Sequence, residues 1–295
     1  MTKQYSLSKH PEYGYFEVTP TPSPATIKEY YVNEFYAQKS DDKINDSTLE
    51  VQNESKVFYE SWRSDLNNII RQYLGNGTLE ILDFGCGWCE TIQYFSTHNY
   101  QCFGIDPAED AIEHGKNLGL NVRQTDSNNF NPFEQKFDVV LLQNVLEHLA
   151  NPEFVIENIH NTMLKDNGLL IIDVPNEFND FQVAANELFG LDEWWVVPPA
   201  HLNYFSPNSL NALLEDKGFN VLDKMSSFPL EMFLLQGNNY VKNPALGKQS
   251  HQQRVNFELN LRKLGKTEVL HDFYRGLADM GLGRQILMIS QRKKT

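Results

Sequence analysis

The chain has 295 residues, with 25 Lys+Arg against 39 Asp+Glu for a formal net charge of −14, and 41% of it is hydrophobic. That length buries a full core as one large domain or two modest ones, and the apolar content excludes a disordered polyelectrolyte. An acidic balance with no basic block argues against broad contact with nucleic acid or an anionic membrane, because both begin with phosphate neutralisation; a small partner is expected.

Met1 to Ser6 run into His10-Pro11-Glu12 without an apolar leader. No later apolar run approaches the ~18 residues of a membrane span, so a cytoplasmic protein is expected. The three cysteines, Cys86, Cys89 and Cys102, are too few for a disulfide framework. Tyr13 to Val18 form an aromatic run that Pro20, Pro22 and Pro24 stop. Ser23 and Pro24 then predict a capped helix start, with Ile27, Tyr30, Tyr31 and Phe35 at helical spacing. After a polar stretch around Lys39 to Asn45, the residues Val57, Phe58, Trp62, Leu66, Ile69, Ile70 and Leu74 predict a second amphipathic helix, ended by Gly75-Asn76-Gly77.

From there the rhythm changes to short apolar runs separated by helical segments. Predicted strands are Leu79 to Phe84, Gln101 to Ile105, Asn121 to Gln124, Phe137 to Leu142, Leu169 to Val174, Phe219 to Leu222 and Gln285 to Ser290. This alternation implies βαβ units around a largely parallel sheet. Residues 175–205 form a long aromatic connection containing Trp194-Trp195, of the kind that covers a ligand crevice. The domain boundaries expected are a leader or lid over 1–45, a core over 46–228, a helical insert over 229–283 serving substrate or homodimer contact, and a last core strand with its tail over 284–295.

The first core strand ends in Asp83-Phe84-Gly85-Cys86-Gly87-Trp88-Cys89-Glu90. A dinucleotide fingerprint needs a third glycine where Glu90 stands, and a carboxylate in the first helical turn repels pyrophosphate. No P-loop motif occurs. A cationic ligand carrying a ribose fits better. Asp83 at the strand tip suits an ammonium group; Asp106, about twenty positions beyond Gly85, suits the ribose hydroxyls; Asp126 with Ser127 suits an adenine amino group. Pro107 follows Asp106 in the same turn, and Gln143 and Asn144, ending the fourth strand, suit the methionine part of such a ligand or its acceptor.

Asp83-Phe84-Gly85-Cys86-Gly87, then Gly104-Ile105-Asp106-Pro107, then Phe137-Asp138-Val139-Val140 leading to Leu146-Glu147-His148-Leu149, resemble in order and spacing the motifs of class I S-adenosylmethionine-dependent methyltransferases. His201 to Leu210, followed by Leu213 to Phe219, is similar to the branch holding ubiquinone-type O-methyltransferases and methyltransferases of sugar and glycan pathways, and within it Ser206, Pro207 and Gly218 predict a helix's cap, start and end. The resemblance implies an α/β, Rossmann-like seven-stranded sheet with an antiparallel last strand. It implies S-adenosylmethionine as cofactor, S-adenosylhomocysteine as product, and a small-molecule or glycan-precursor acceptor. Cys89 departs from the pattern, standing where the family usually carries a glycine, which predicts tighter packing rather than lost binding. The zinc-ribbon cysteines that precede a similar leader in some relatives are missing, so no structural zinc is expected, and with no metal-ligand cluster visible in the sequence metal-independent transfer is expected.

His201 and His148 are the candidate general bases, since imidazole titrates near neutrality, and His201 ranks first for its place in the covering connection. Cys86 and Cys89 have the spacing of a redox dithiol, but a shared glycine turn in the sheet argues for packing instead. Two competing functions are a non-catalytic binder of the cofactor and a dinucleotide-dependent oxidoreductase.

Overall fold

The computed structural model describes residues 5–30, 56–125 and 130–293. Seven strands form the main sheet: β3 (Glu80–Phe84), β4 (Gln101–Asp106), β5 (Asn121–Gln124), β6 (Phe137–Gln143), β7 (Leu164–Pro175), β9 (Phe219–Ser226) and β10 (Gln285–Arg292). Their order is β5-β4-β3-β6-β7-β10-β9. The first five pair in parallel, and β10 runs antiparallel to both of its neighbours, β7 and β9.

The central strands are apolar on both sides because both faces are covered, and successive side chains feed opposite layers. Leu82 and Phe84 of β3 and Val140 and Leu142 of β6 enter one core, with Leu210, Leu213 and Leu214 of α7 (Pro207–Asp216) and Val155 and Ile156 of α5 (Pro152–Asn158). Ile81, Val139 and Leu141 enter the other, with Leu66, Ile69 and Ile70 of α2 (Lys56–Leu74) and Leu270, Tyr274 and Leu277 of α10 (Thr267–Asp279). Val57, expected on the buried stripe of α2, is 67% exposed and faces water. β7 begins at Leu164, ahead of the predicted Leu169, and its ladder with β6 shifts register between Phe137 and Val139, with Asn167 at φ 60 inside the irregularity.

Helices α3 (Glu90–Ser96) and α4 (Glu109–Asn117) follow β3 and β4, and α6 (Asp180–Phe189) follows β7. The expected caps are present: Ser23 Oγ accepts from Thr26 N–H at 3.1 Å at the start of α1 (Pro24–Tyr30), and Ser206 forms a capping box with Ser209 ahead of Pro207. Within residues 229–283 lie α8 (Glu231–Leu235), α9 (Pro244–Lys263) and α10. Tyr31, Phe35, Tyr36, Asp126 and Ser127 lie outside the described residues.

A second, three-stranded antiparallel sheet has no counterpart in the strands read from sequence. It joins β1 (Ser6–Lys9), β2 (Phe16–Thr19) and β8 (Asn203–Tyr204) in the order β1-β2-β8. Tyr13 and Tyr15 of this hairpin are buried in the core shared with α5 and α7. The Tyr13 hydroxyl donates to Asp216 at 2.7 Å and accepts from Lys217 Nζ at 3.0 Å. Val18 N–H donates to the Leu202 carbonyl at 2.9 Å, so the hairpin fixes the segment that carries His201.

Candidate active site

Strand order reverses between β4 and β6 across β3, and ligands of open α/β sheets bind at the carboxyl ends beside such a switch point. There Gly85 and Cys86 N–H groups both donate to the Ile105 carbonyl, at 2.7 and 3.0 Å, tying the glycine turn to β4. Gly85 has φ +81, and an added Cβ would meet Val145 Cγ2 at 2.4 Å, so the position demands glycine for both conformation and space. Cys89 takes the left-handed conformation, φ 65, that glycine would accept without strain, and it is fully buried. A Cβ at Gly115 would lie 2.7 Å from its sulfur. The substitution is accommodated by packing, as expected.

Asp83 and Asp106 are 3% and 4% exposed on adjacent strands. Asp106 accepts from Gly87 N–H at 2.9 Å and from Ala108 N–H at 2.8 Å, bridging the turns after β3 and β4. Those backbone donors hold an anion at the strand tip. Burial, with the Asp106 charge adding, pushes the Asp83 carboxyl up to about 7, while the Arg63 guanidinium pulls it down. The two carboxylates thus make a niche suited to a cation. Glu90 is the first residue of α3 and is paired with Arg63 at 2.5 Å. Its charge is therefore compensated, and what keeps this turn unlike a dinucleotide fingerprint is the side chain itself, where glycine is required.

Pro107 accepts at its carbonyl from Gln124 Nε2 at 2.9 Å, closing the turn beside β5. At the end of β6, Gln143 accepts from Thr91 Oγ1 at 3.3 Å, and its Nε2 is buried without a hydrogen-bond partner. Asn144 is exposed with φ 53, and its N–H donates to the Asp173 carbonyl at 2.7 Å.

The Cys86 and Cys89 sulfurs are 3.9 Å apart and both residues are buried. The contact with Cys89 and burial push the Cys86 thiol up, against a reactive thiolate at that residue.

The turn after β6, Leu146–His148, lies against the segment entering β8. Leu202 N–H donates to the Glu147 carbonyl at 2.7 Å, Asn203 Nδ2 to the Leu149 carbonyl at 2.7 Å, and His148 Nδ1 to the Ala200 carbonyl at 2.6 Å. These contacts bring His148 and His201 together with ring centroids 5.0 Å apart. Burial lowers both imidazoles, His201 to about 3, so both are neutral at physiological pH. Glu147, 2% exposed, is the third member, and one ligand atom from each of the three lies within 4.8 Å of the others. Sequence reasoning assigned Glu147 no role, since nothing in its spacing shows that residues 147 and 201 meet. Trp195, by contrast, is 4% exposed and packs with Phe178, which also touches Phe16 and Tyr204. It belongs to the core of the covering segment.

The sheet order, the antiparallel penultimate position of β10 and the acidic strand tips define a class I, S-adenosylmethionine-dependent methyltransferase. Residues 49–224 match the family model of a methyltransferase domain, and the chain belongs to that family. A ubiquinone biosynthesis O-methyltransferase of Ruegeria sp. (strain TM1040) is 28% identical over 186 residues, covering 60% of this chain and 69% of that one. Among solved structures, a SAM-dependent methyltransferase from Archaeoglobus fulgidus superposes with TM-score 0.51 at 19% identity, over 83% of this chain and 100% of that one. The plantazolicin methyltransferase BpumL, solved with S-adenosylhomocysteine, gives 0.52 at 16% identity, over 92% and 98%. At such identities these structures share the fold.

Proposed function

We infer that this enzyme transfers the cofactor's methyl group to a hydroxyl of a small-molecule or glycan-precursor acceptor in the cytoplasm. The observation that carries this reading is the buried polar cluster of Glu147, His148 and His201, on the turn directly after the Gln143 and Asn144 strand end. The ubiquinone O-methyltransferase relatives support an oxygen acceptor.

In this reading Asp83 faces the ammonium group, Asp106 takes the ribose hydroxyls, and Gly85, Cys86, Gly87 and Pro107 shape the floor. Asp126 and Ser127 take the adenine edge, and Gln143 and Asn144 the methionine part. An acceptor lone pair attacks the methyl carbon opposite sulfur, and the carbon–sulfur pair returns to sulfur as the neutral thioether. Holding the reactants in line supplies roughly 7–11 kcal/mol, against about 3–5 kcal/mol for a general base. The low basicity of His201 suits it to orient an acceptor hydroxyl, with His148 behind it, more than to take up a full proton. The leader hairpin acts by fixing the His201 segment. The helical insert, with Phe257 and Phe273 38% and 40% exposed, serves as a contact between two copies or toward substrate.

The test is release of S-adenosylhomocysteine across a panel of phenols, sugars, nucleotide sugars and amines. Turnover confined to hydroxyl acceptors is expected. Tight cofactor binding without turnover across the panel identifies a binding protein instead, and stabilisation by NAD identifies an oxidoreductase.

A further inference from the structure

A second polar group stands at the tips of β7 and β10, formed by three segments distant in sequence. Arg284, just ahead of β10, is 3.0 Å from Glu231 at the start of α8 and 3.9 Å from Glu177, which follows β7. Gln182 of α6 donates to Glu177 through Nε2. The carboxylates are closed off, at 4% and 0% exposure, whereas the Arg284 side chain keeps 27%, so the triad opens at its guanidinium. A triad that served only to staple these segments would pair all of its polar atoms. Here Glu231 Oε2, Gln182 Oε1 and the Tyr240 hydroxyl are buried without a hydrogen-bond partner. Burial, with the Glu231 charge adding, pushes the Tyr240 hydroxyl up, so it keeps its proton to donate.

The triad lies on the same rim as the Gln143 strand end. Asn176 N–H donates to the Arg284 carbonyl at 2.9 Å, and Gln285 Nε2 donates to Asn144 Oδ1 at 3.4 Å. The Arg284 charge also bears on His201. Only β7 separates β6 from β10, so the triad stands two strand spacings, about 10 Å, from the β6 tip.

We propose that Arg284, Glu231, Gln182 and Tyr240 form a recognition subsite for non-reacting hydroxyl groups of a neutral, polyhydroxylated acceptor. The assignment deepens the hydroxyl-transfer reading above and rests on it for the word acceptor. A hydroxyl both donates and accepts, which matches carboxylate and amide oxygens beside a guanidinium. An acidic acceptor is disfavoured, because two carboxylates already claim Arg284. An ammonium group is opposed by the guanidinium at the opening. A prenylated phenol brings an apolar tail that would cover these atoms and leave them unpaired.

The test titrates the full-length enzyme, as its S-adenosylhomocysteine complex, with methyl glycosides, cyclitols, a sugar phosphate, an aliphatic amine and a prenylated phenol by calorimetry. Acceptor KM is read in parallel from S-adenosylhomocysteine release. A neutral polyol is expected to bind best. Tyr240→Phe should weaken its binding and raise its KM about 2- to 12-fold, with cofactor affinity and melting temperature unchanged, since that oxygen has no partner within the protein. Glu231→Gln should weaken polyol binding further. One monodeoxy analogue should bind less well to the wild type yet no worse to Tyr240→Phe. Preference for the phosphate, the amine or the phenol, no polyol binding by the wild type, or equal polyol affinity in folded Tyr240→Phe overturns the subsite. The two readings fail separately. Polyol binding that depends on Tyr240 without methylation of any hydroxyl removes the transfer assignment and leaves the subsite, while turnover of a phenol with KM unchanged in Tyr240→Phe removes the subsite and leaves hydroxyl transfer.

Discussion

Replacing Asp106 by Asn tests the cofactor niche most directly. The carboxylate is 4% exposed and receives Gly87 N–H at 2.9 Å and Ala108 N–H at 2.8 Å. An ionised carboxylate is an acceptor only, with about four acceptor sites, and in the proposed role it also accepts from the ribose diol. Asparagine keeps one acceptor oxygen and turns an amide donor toward either a backbone N–H or a ribose hydroxyl. Hydrogen bonds to charged groups contribute about 1.5–3 kcal/mol each. Losing one bond to the diol therefore predicts cofactor binding weaker by about 10- to 150-fold. Calorimetric titration with S-adenosylmethionine and S-adenosylhomocysteine measures it, with circular dichroism confirming the fold. Adenosine alone should lose affinity by a similar factor, because the deficit sits on the ribose. An affinity within about threefold of wild type in a folded variant would refute the assignment.

Gly85→Ala places a methyl 2.4 Å from Val145 Cγ2 at φ +81. The conformation alone costs about 1–2 kcal/mol, and Val145→Ala in the same chain should restore the steric part but not the rest, as read by denaturant unfolding. Asp83 titrates near 7 in the free enzyme because of burial and the Asp106 charge. A bound cation lowers that value, so binding of S-adenosylmethionine should release a proton, tighten as pH rises toward 7 and level off above it. Asp83→Asn should abolish the proton release, which calorimetry in buffers of different ionisation enthalpy detects. Cys86 and Cys89 should resist a thiol reagent until the protein is unfolded, and Cys102, its thiol pushed up to about 12 by burial, should react slowly; rapid native labelling at Cys86 would contradict the packing described. Tyr13→Phe removes the bonds to Asp216 and Lys217 and should lower stability by about 1–3 kcal/mol, measured by denaturant unfolding.

The seven core strands, the caps at Ser23 and Ser206 and the carboxylates at Asp83 and Asp106 were legible in the chain itself. Each depends on local chemistry: apolar runs of strand length, hydroxyls before proline, glycines where φ must be positive. The resemblance added the antiparallel placement of β10, which no local pattern encodes. The β1-β2-β8 sheet was not legible, because β8 is two residues long and its partner lies at the other end of the chain. Nor was the meeting of Glu147 and His148 with His201, which depends on backbone hydrogen bonds from Leu202 and on the fixed position of the hairpin. Local sequence sets which side chains can cap, turn or alternate, since those preferences act within a few residues. Which distant groups share a buried space, and so whether an imidazole is neutral or a carboxylate unpaired, is decided only when the tertiary packing removes water from around them.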